Sequence, residues 1–355
     1  MKRTGYLFEK IVDINNIKTA IINASKKKKK RTCVKKVLAN IEFHAKEIQD
    51  MLQDDSYLPS PYYVESIIDN SSCKQRVIFK PKFYPDQIIH WATMQVLEPV
   101  LMRGMSRYCC GSIPGRGGAH GQKALKKWLR RDRKHTKYTL QLDISKFYPS
   151  IDQEILKTQL RRKIKDGRCL QLLDKIIEST SSGLPIGNFT SQWLANFYLE
   201  GLDHFIKEKL KIKYAIRYMD DIVMFGSNKK KLHKARKLIA EYLETLKLRL
   251  KCNYQVFKTD SRPLDFLGFR FYRDHITLRR RNALRIRRRA IRIKKKGYFN
   301  LKDSAAMLSY LGWIYHSDSH KYFKKCIEPN INIEKMKDVI RRESRKQCNA
   351  SSVCN

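Results

Sequence analysis

Through residues 5–52 apolar side chains recur at three- and four-residue spacing, among them Val34, Val37, Leu38, Ile41, Ile48, Met51 and Leu52. That period predicts helices. Pro59 and Pro61 break the pattern and mark a boundary. Residues 62–137 read as short strands with a helix near 86–103. At 138 the period changes to two. Tyr138, Leu140, Leu142 and Ile144 fall on one side, and Thr139, Gln141 and Asp143 on the other. This predicts a half-buried strand with Asp143 on its polar face near the end. Ser150-Ile151-Asp152-Gln153 then reads as a capping box opening a helix. It puts Asp152 in the first turn, where the helix dipole accounts for it.

Residues 214–225 carry the most informative pattern. Two apolar, β-prone arms flank Asp220-Asp221, which predicts a hairpin with both aspartates at its turn. Residues 229–250 read as an amphipathic helix, with Leu232, Ala235, Leu238, Ile239, Tyr242, Leu243 and Leu246 on its apolar face. Strand-like runs follow at 253–258 and 264–272. A basic helical pattern then begins near Arg279, breaks at Gly297 and Asn300, and gives way to further helix.

Charge changes the picture. The chain holds 75 Lys and Arg against 34 Asp and Glu, a net +41 over 355 residues. Solubility needs only about 2 to 8 net charges in a small domain. An excess this large repels itself and implies a polyanionic partner, with nucleic acid ahead of an acidic membrane surface. Apolar residues make up 42%, enough for a sizeable core. No apolar run approaches the ~18 residues of a membrane span, and no secretory signal follows the basic start, so a cytoplasmic location is expected. The nine cysteines include no C-x-x-C pair and are expected to be reduced thiols, with Cys109 and Cys110 as small core residues. The glycine-rich stretch from Gly111 to Gly121 lacks the Lys-Ser/Thr of a P-loop and carries His120 where a dinucleotide fingerprint needs glycine. The run Lys26–Arg31 reads either as a solvated basic turn or as a phosphate contact.

If the strand ending at Asp143 neighbours the hairpin, then Asp143, Asp220 and Asp221 converge. Clustered carboxylates repel, and a divalent cation resolves the repulsion. Mg²⁺ suits such a set, because it takes one or two carboxylates plus water and phosphate oxygens. Two such ions can clamp the attacking and leaving oxygens of a phosphoryl displacement.

Tyr218-Met219-Asp220-Asp221 resembles the YMDD box of reverse transcriptases. The segment Leu142–Asp152 resembles the first palm motif of that family, and Gly183–Gln192 the next. Lys258-Thr259 and Leu264–Phe269 resemble the later palm motifs. Arg76-Val77-Ile78 and Ile113–Gly117 resemble the fingers motifs. The likeness runs in order through roughly residues 70–325. Ile186-Gly187, Ser191-Gln192, the Ile-Pro-Gly-Arg-Gly loop and Ser309–His316 resemble the enzymes of diversity-generating retroelements. Group II intron, retron and phage-defence enzymes share the palm.

The resemblance implies an α+β right-hand polymerase. It would have an N-terminal helical extension (1–60), fingers (61–137), an antiparallel palm (138–275, with a fingers insertion at about 153–182) and a basic helical thumb with tail (276–355). It implies DNA synthesis on an RNA template from dNTPs, with two Mg²⁺ ions or Mn²⁺ in their place. In the retroelement reading the cDNA carries errors at adenines, and a small basic pentameric accessory protein assists. By carry-over, Asp143, Asp220, Asp221 and the Ile144 carbonyl hold metal. Tyr148, or alternatively Phe147, excludes a ribose 2′-OH. Arg76, Ile186, Gln192 and Lys258 contact the incoming nucleotide, and Leu267-Gly268 forms the primer grip. Arg116, Arg287, Arg288, Lys294 and Lys295 meet nucleic acid, while Trp313 and Tyr315 either stack on bases or pack in the thumb core. The opposed reading is a non-catalytic RNA-binding protein, which would gain nothing from a repulsive acidic cluster.

Overall fold

The apolar period at the N-terminus becomes four helices, Phe8–Ile11, Ile14–Ser25, Thr32–Ala39 and Ile41–Gln53. Asp13 caps the second by accepting from the Asn15 and Asn16 amides at 2.9 and 3.0 Å. The computed structural model describes residues 3–69 and 74–352. Two units divide the chain: residues 1–117, 140–224 and 230–255 form the first, and 118–139, 225–229 and 256–355 the second.

Strands β1 (Tyr63–Asp69) and β2 (Lys74–Lys80) pair antiparallel, with Ile67 opposite Arg76. The helix expected near 86–103 spans Ile88–Met102. The alternating segment forms β3 (Tyr138–Asp143), and the acidic hairpin forms β4 (Tyr214–Tyr218) and β5 (Asp221–Gly226). With β6 (Gln255–Lys258) these make a four-stranded sheet of order β4-β5-β3-β6. The order seats β3 directly beside the acidic hairpin. The fold is α+β.

Two local expectations change, and one helix was not anticipated. Asp152, not Ser150, is the N-cap of the helix Gln153–Lys163, because its carboxylate accepts from the Ile155 amide at 2.9 Å. The run 264–272 is two short strands, β7 (Leu264–Phe266) and β8 (Phe269–Phe271), which pair antiparallel with β9 (Ile276–Leu278) next in order. The reversal falls on Leu267 and Gly268, whose φ angles of 52° and 83° suit a two-residue hairpin turn. The helix Phe189–Tyr198 shows no amphipathic pattern in sequence, because it is buried on nearly every side.

In the second unit Ile286, Ala290 and Ile293 of the helix Arg280–Lys296 pack with Met307, Leu311 and Ile314 of the helix Leu301–Tyr315. Gly297 ends the first of these helices with φ 71°, and Asn300 caps the second. Among the described residues Cys33, Cys109, Cys110, Cys169, Cys252 and Cys326 are free thiols. Cys109 and Cys110 are fully buried. Cys73 and Cys354, and the side chain of Cys348, lie outside the described residues. No described helix is long and apolar enough to cross a membrane.

Asp166 joins the N-terminal extension to the rest of its unit. It caps the helix Gly167–Ile177 by accepting from the Cys169 amide at 3.0 Å. Its other oxygen accepts from the Leu7 and Phe8 amides at 2.7 and 2.8 Å. Burial works against the charge, but the backbone amides outweigh it and hold the carboxyl below the usual range. The folded pKa is therefore the lower one. The stabilisation is complete above about pH 3.9 and is lost as pH falls through the folded value. Asp166→Ala should cost about 1–2 kcal/mol at neutral pH in urea unfolding. The gap to wild type should narrow in acid.

Candidate active site

The hairpin β4–β5 is apolar and buried along Ile222–Phe225, so its turn is carried by a rigid element. The turn itself is strained. Met219 sits in the left-handed region at φ 54°. Arg217, 2% exposed, holds it there. Its guanidinium donates to both oxygens of Asp203 at 2.8 Å, to Asn196 Oδ1 at 3.1 Å and to the Met219 carbonyl at 3.2 Å. Burial opposes the charge on Arg217, and the Asp203 carboxylate more than restores it. Backbone bonds fix the same residue: the Arg217 amide donates to the Tyr108 carbonyl at 3.0 Å, and the Cys110 amide donates to the Arg217 carbonyl at 2.8 Å. Burial, opposed by Arg217, pushes the Cys109 thiol up to about 11. The start of the glycine-rich loop packs on the turn, where a Cβ on Gly111 would lie 2.9 Å from the Met219 amide nitrogen.

The turn delivers Asp220 beside Asp143. The Ile144 amide donates to the Asp220 carbonyl at 3.2 Å, which ties β3 to the hairpin. Ile144 is fully buried. Lys251 donates its amide to the Asp143 carbonyl at 2.8 Å and its ammonium to the Asp143 carboxylate. The other carboxylate oxygen of Asp143, Oδ1, is buried without a hydrogen-bond partner. Burial pushes the Asp220 carboxyl up, and the Asp143 charge adds to the shift. Asp221 does not join them. It is exposed as the first residue of β5, and no group of three His, Cys, Asp or Glu side chains among the described residues could hold a metal ion. Where three carboxylates were expected to converge, two are brought together among the described residues: Asp220 sits in the turn, and Asp221 already begins the exposed start of β5. Two carboxylates with an unsatisfied buried oxygen still fit Mg²⁺, which takes its remaining ligands from water and phosphate.

A cavity of about 940 Å³ opens beside this pair, lined by Arg76, Phe147, Tyr148, Ile186, Asp220 and Lys251 among others. Tyr148 is the half-exposed ring of the two candidates, and its hydroxyl donates to Met219 Sδ at 3.7 Å. Phe147 is 3% exposed and meets Tyr148 edge-on at 5.5 Å. Burial and the Asp220 charge hold the Tyr148 phenol well above the usual tyrosine range. Ile186 is half-buried, and its carbonyl accepts from the Phe79 amide of β2 at 2.8 Å. Gly187 makes that approach possible: at φ 133°, a Cβ there would lie 2.2 Å from the Phe79 carbonyl oxygen.

Three contributors carried no sequence signal. Tyr62 lines the cavity, with its hydroxyl 2.7 Å from Ser179 Oγ and accepting from Asn188 Nδ2 at 2.6 Å. Gln153 braces the 177–183 loop by donating to the Ile177, Thr180 and Gly183 carbonyls, each at 3.0 Å. Lys251 was one basic residue among many. Arg217 could have been found, as a charged residue on an otherwise apolar strand arm.

Other expected residues lie elsewhere. Gln192 is exposed on the helix Phe189–Tyr198 and does not line the cavity. Arg116 is half-buried, with its guanidinium donating to the Met105 and Ser106 carbonyls at 3.3 and 3.2 Å, so part of its donor set is spent within the fold. Lys26–Arg31 is a turn in which only Lys28 is half-buried, bonded to Gln87. In the second unit, Lys258 is exposed at the end of β6, and Leu267-Gly268 forms the β7–β8 turn. A Cβ on Gly268 would meet the Trp313 ring at 2.6 Å. Trp313 is 39% and Tyr315 73% exposed, so neither is a buried thumb-core residue. Arg287, Arg288, Lys294 and Lys295 are all exposed on the helix Arg280–Lys296.

Residues 70–271 match the family described as reverse transcriptase (RNA-dependent DNA polymerase). The chain is similar to the retron Ec73 reverse transcriptase of Escherichia coli, 29% identical over 206 residues, covering 53% of this chain and 65% of that protein. It is also similar to the group II intron-encoded protein LtrA of Lactococcus lactis subsp. cremoris, 30% identical over 179 residues, covering 48% of this chain and 29% of that protein. The chain thus spans less than two thirds of either relative. In fold it is similar to apo telomerase from Candida tropicalis, with a TM-score of 0.50 at 13% identity, over 72% of this chain and 52% of that one.

The buried pair Arg217–Asp203 generates a stability test. Arg217→Met should cost about 3–5 kcal/mol in urea unfolding, since it strands a buried carboxylate. The double replacement Arg217→Met with Asp203→Leu should recover much of that loss, because no buried charge is left unpaired.

Proposed function

The chain belongs to the reverse transcriptase family, and from that membership we propose that it is an RNA-directed DNA polymerase whose active site is the Asp143–Asp220 pair and the cavity beside it. The observation that carries this reading is the juxtaposition of Asp220, with Asp143 on the adjoining strand, with Arg76, Tyr148 and Ile186 around one cavity. A triphosphate needs a cation-binding acidic pair, a guanidinium for its oxygens and a shaped sugar site, and the cavity offers all three.

Asp143 and Asp220, with the Ile144 carbonyl and Asp221, would hold the divalent ions, Mg²⁺ or Mn²⁺. When bound, such ions offset phosphate charge and favour an ionised 3′-hydroxyl. The chemistry is attack of the primer 3′-oxygen on the α-phosphate, with pyrophosphate leaving. Arg76 grips phosphate oxygens as a planar fork. Tyr148 occupies the space a 2′-hydroxyl would need and so selects dNTPs. Ile186 offers the nucleotide shape and apolar contact but no side-chain hydrogen bond. We assign residues 61–137 to fingers, 138–275 to palm and 276–355 to thumb and tail. The exposed Arg287, Arg288, Lys294 and Lys295 are proposed to track the template RNA and the RNA–DNA hybrid through phosphates.

For the biological setting we infer a diversity-generating retroelement acting in a bacterial or phage-infected cytoplasm, with a small basic pentameric accessory protein. This rests on Ile186-Gly187, Ser191-Gln192 and the Ile113–Gly117 loop. A second reading, a retron or group II intron enzyme, is favoured by the two bacterial relatives. A neighbouring pair of repeats differing mainly at adenines would decide for the first, and its absence for the second.

Asp143→Asn and Asp220→Asn should each remove most primer extension on an RNA template while leaving the thermal melt near wild type. Asp221→Asn should do the same, and full activity in Asp220→Asn would defeat the assignment.

Ile186 generates a fidelity test. Discrimination between nucleotides is a difference in binding energy. Losing even ~1.4 kcal/mol of it raises misincorporation about tenfold. Sequencing of cDNA should show a high error rate opposite template adenine. Ile186→Gln should lower that rate more than it lowers yield. Equal adenine error rates at comparable yield would reject the idea.

A further inference from the structure

The helix Gly118–Arg131 belongs to the second unit and is fixed there by one face. Leu125, Trp128 and Leu129 are buried, Trp128 meets Phe225 edge-on at 6.5 Å, and the Leu129 carbonyl accepts from Arg273 at 3.2 Å. The other face is basic. Lys123, Lys126, Lys127, Arg130 and Arg131 line one shallow hollow of about 670 Å³, which no other residue borders. Their spacing of three and four places them along one stripe, about 12 Å long at the rise of an α-helix.

The stripe has no internal counter-charge. The helix contains no acidic residue, and none of these five side chains forms an ion pair among the described residues. Some helical lysines elsewhere in this chain are answered within a turn. Lys46 pairs with Asp50 at 2.8 Å, Lys324 with Glu328 at 2.9 Å and Lys337 with Glu334 at 2.8 Å. On the basic stripe, Lys123–Lys127, Lys126–Arg130 and Lys127–Arg131 are instead like-charge neighbours that weaken the free helix. A linear polyanion relieves that repulsion.

The stripe also says which form of polyanion. Single-strand sites interleave basic groups with aromatic rings that stack on bases. Here the hollow is lined by Lys and Arg alone, and the one Trp of the helix, Trp128, is buried, so no ring on this face is placed to stack on a base. The geometry suits a strand whose bases are hidden and whose phosphates are displayed. We propose that Lys123, Lys126, Lys127 and Arg130 form a docking surface for the phosphate backbone of duplex RNA, recognised without regard to sequence. This rests on the reading of the chain as an RNA-templated polymerase, and names a second RNA element: a base-paired stem held on the stripe.

The test replaces Lys123, Lys126, Lys127 and Arg130 together with Gln, which keeps helix propensity and removes charge. Binding of a blunt RNA duplex and of single-stranded oligo(U) is measured across a salt series. Duplex affinity should fall roughly tenfold or more, with the salt slope reduced by about 0.9 for each phosphate that is no longer neutralised. Oligo(U) binding and extension of a short primer on an unstructured template should stay near wild type. An equal fall for duplex and oligo(U) would overturn the proposal in favour of general charge attraction, and unchanged duplex binding would overturn it outright. Absence of extension in wild type and variant alike, with duplex binding still weakened, would count against the polymerase reading and not against the stripe. A second measurement needs no variant. Duplex RNA should protect Lys123, Lys126 and Lys127 of the native chain from amine acylation. Unprotected lysines at saturating duplex would contradict the proposal.

Discussion

The ion pair between Arg217 and Asp203 is the constraint on which the acidic site depends. A buried guanidinium is costly unless nearly every donor is answered. Here the donors are answered by Asp203, Asn196 and the Met219 carbonyl, so the satisfaction of the charge and the shape of the turn are one condition. The left-handed Met219 follows from it. With the turn set, the Asp220 carbonyl meets the Ile144 amide, and β3 delivers Asp143 to the same place. The fold thereby forces two carboxylates together and leaves one oxygen unsatisfied. A carboxylate pair with one unanswered buried oxygen, beside a single Lys251 ammonium, is chemically suited to a cation.

Much of this was legible in sequence because the relevant periods are short and clean. Alternation from Leu140 to Ile144 put Asp143 on the less buried face, although Thr139 of that face is fully buried against Thr259, and apolar arms around Asp220-Asp221 announced the hairpin. What escaped was long-range. Gln153 reaches carbonyls between 24 and 30 residues away, and Tyr62 meets Asn188 across 126 residues. No local pattern encodes such a meeting. Adjacency in sequence puts Asp220 in the turn and Asp221, exposed, at the start of β5. The strand expected over 264–272 failed because two consecutive left-handed residues reverse the chain within an otherwise strand-like composition.

The charge excess also becomes specific once burial is known. Arg217 is internal, Lys251 neutralises Asp143, and Arg289 pairs with Asp303. Much of the remaining cationic surface lies on helices whose opposite faces are buried, so it is presented by rigid elements and not by loops. Rigid presentation keeps the charges in a fixed pattern, which is the condition for meeting a regular phosphate backbone.

The most direct test of the central claim is primer extension by the purified chain on a single RNA template with Mg²⁺, withholding each dNTP in turn. Extension should stop where the template requires the missing nucleotide. Failure to extend any RNA template–primer, or addition that ignores the template sequence, would contradict it.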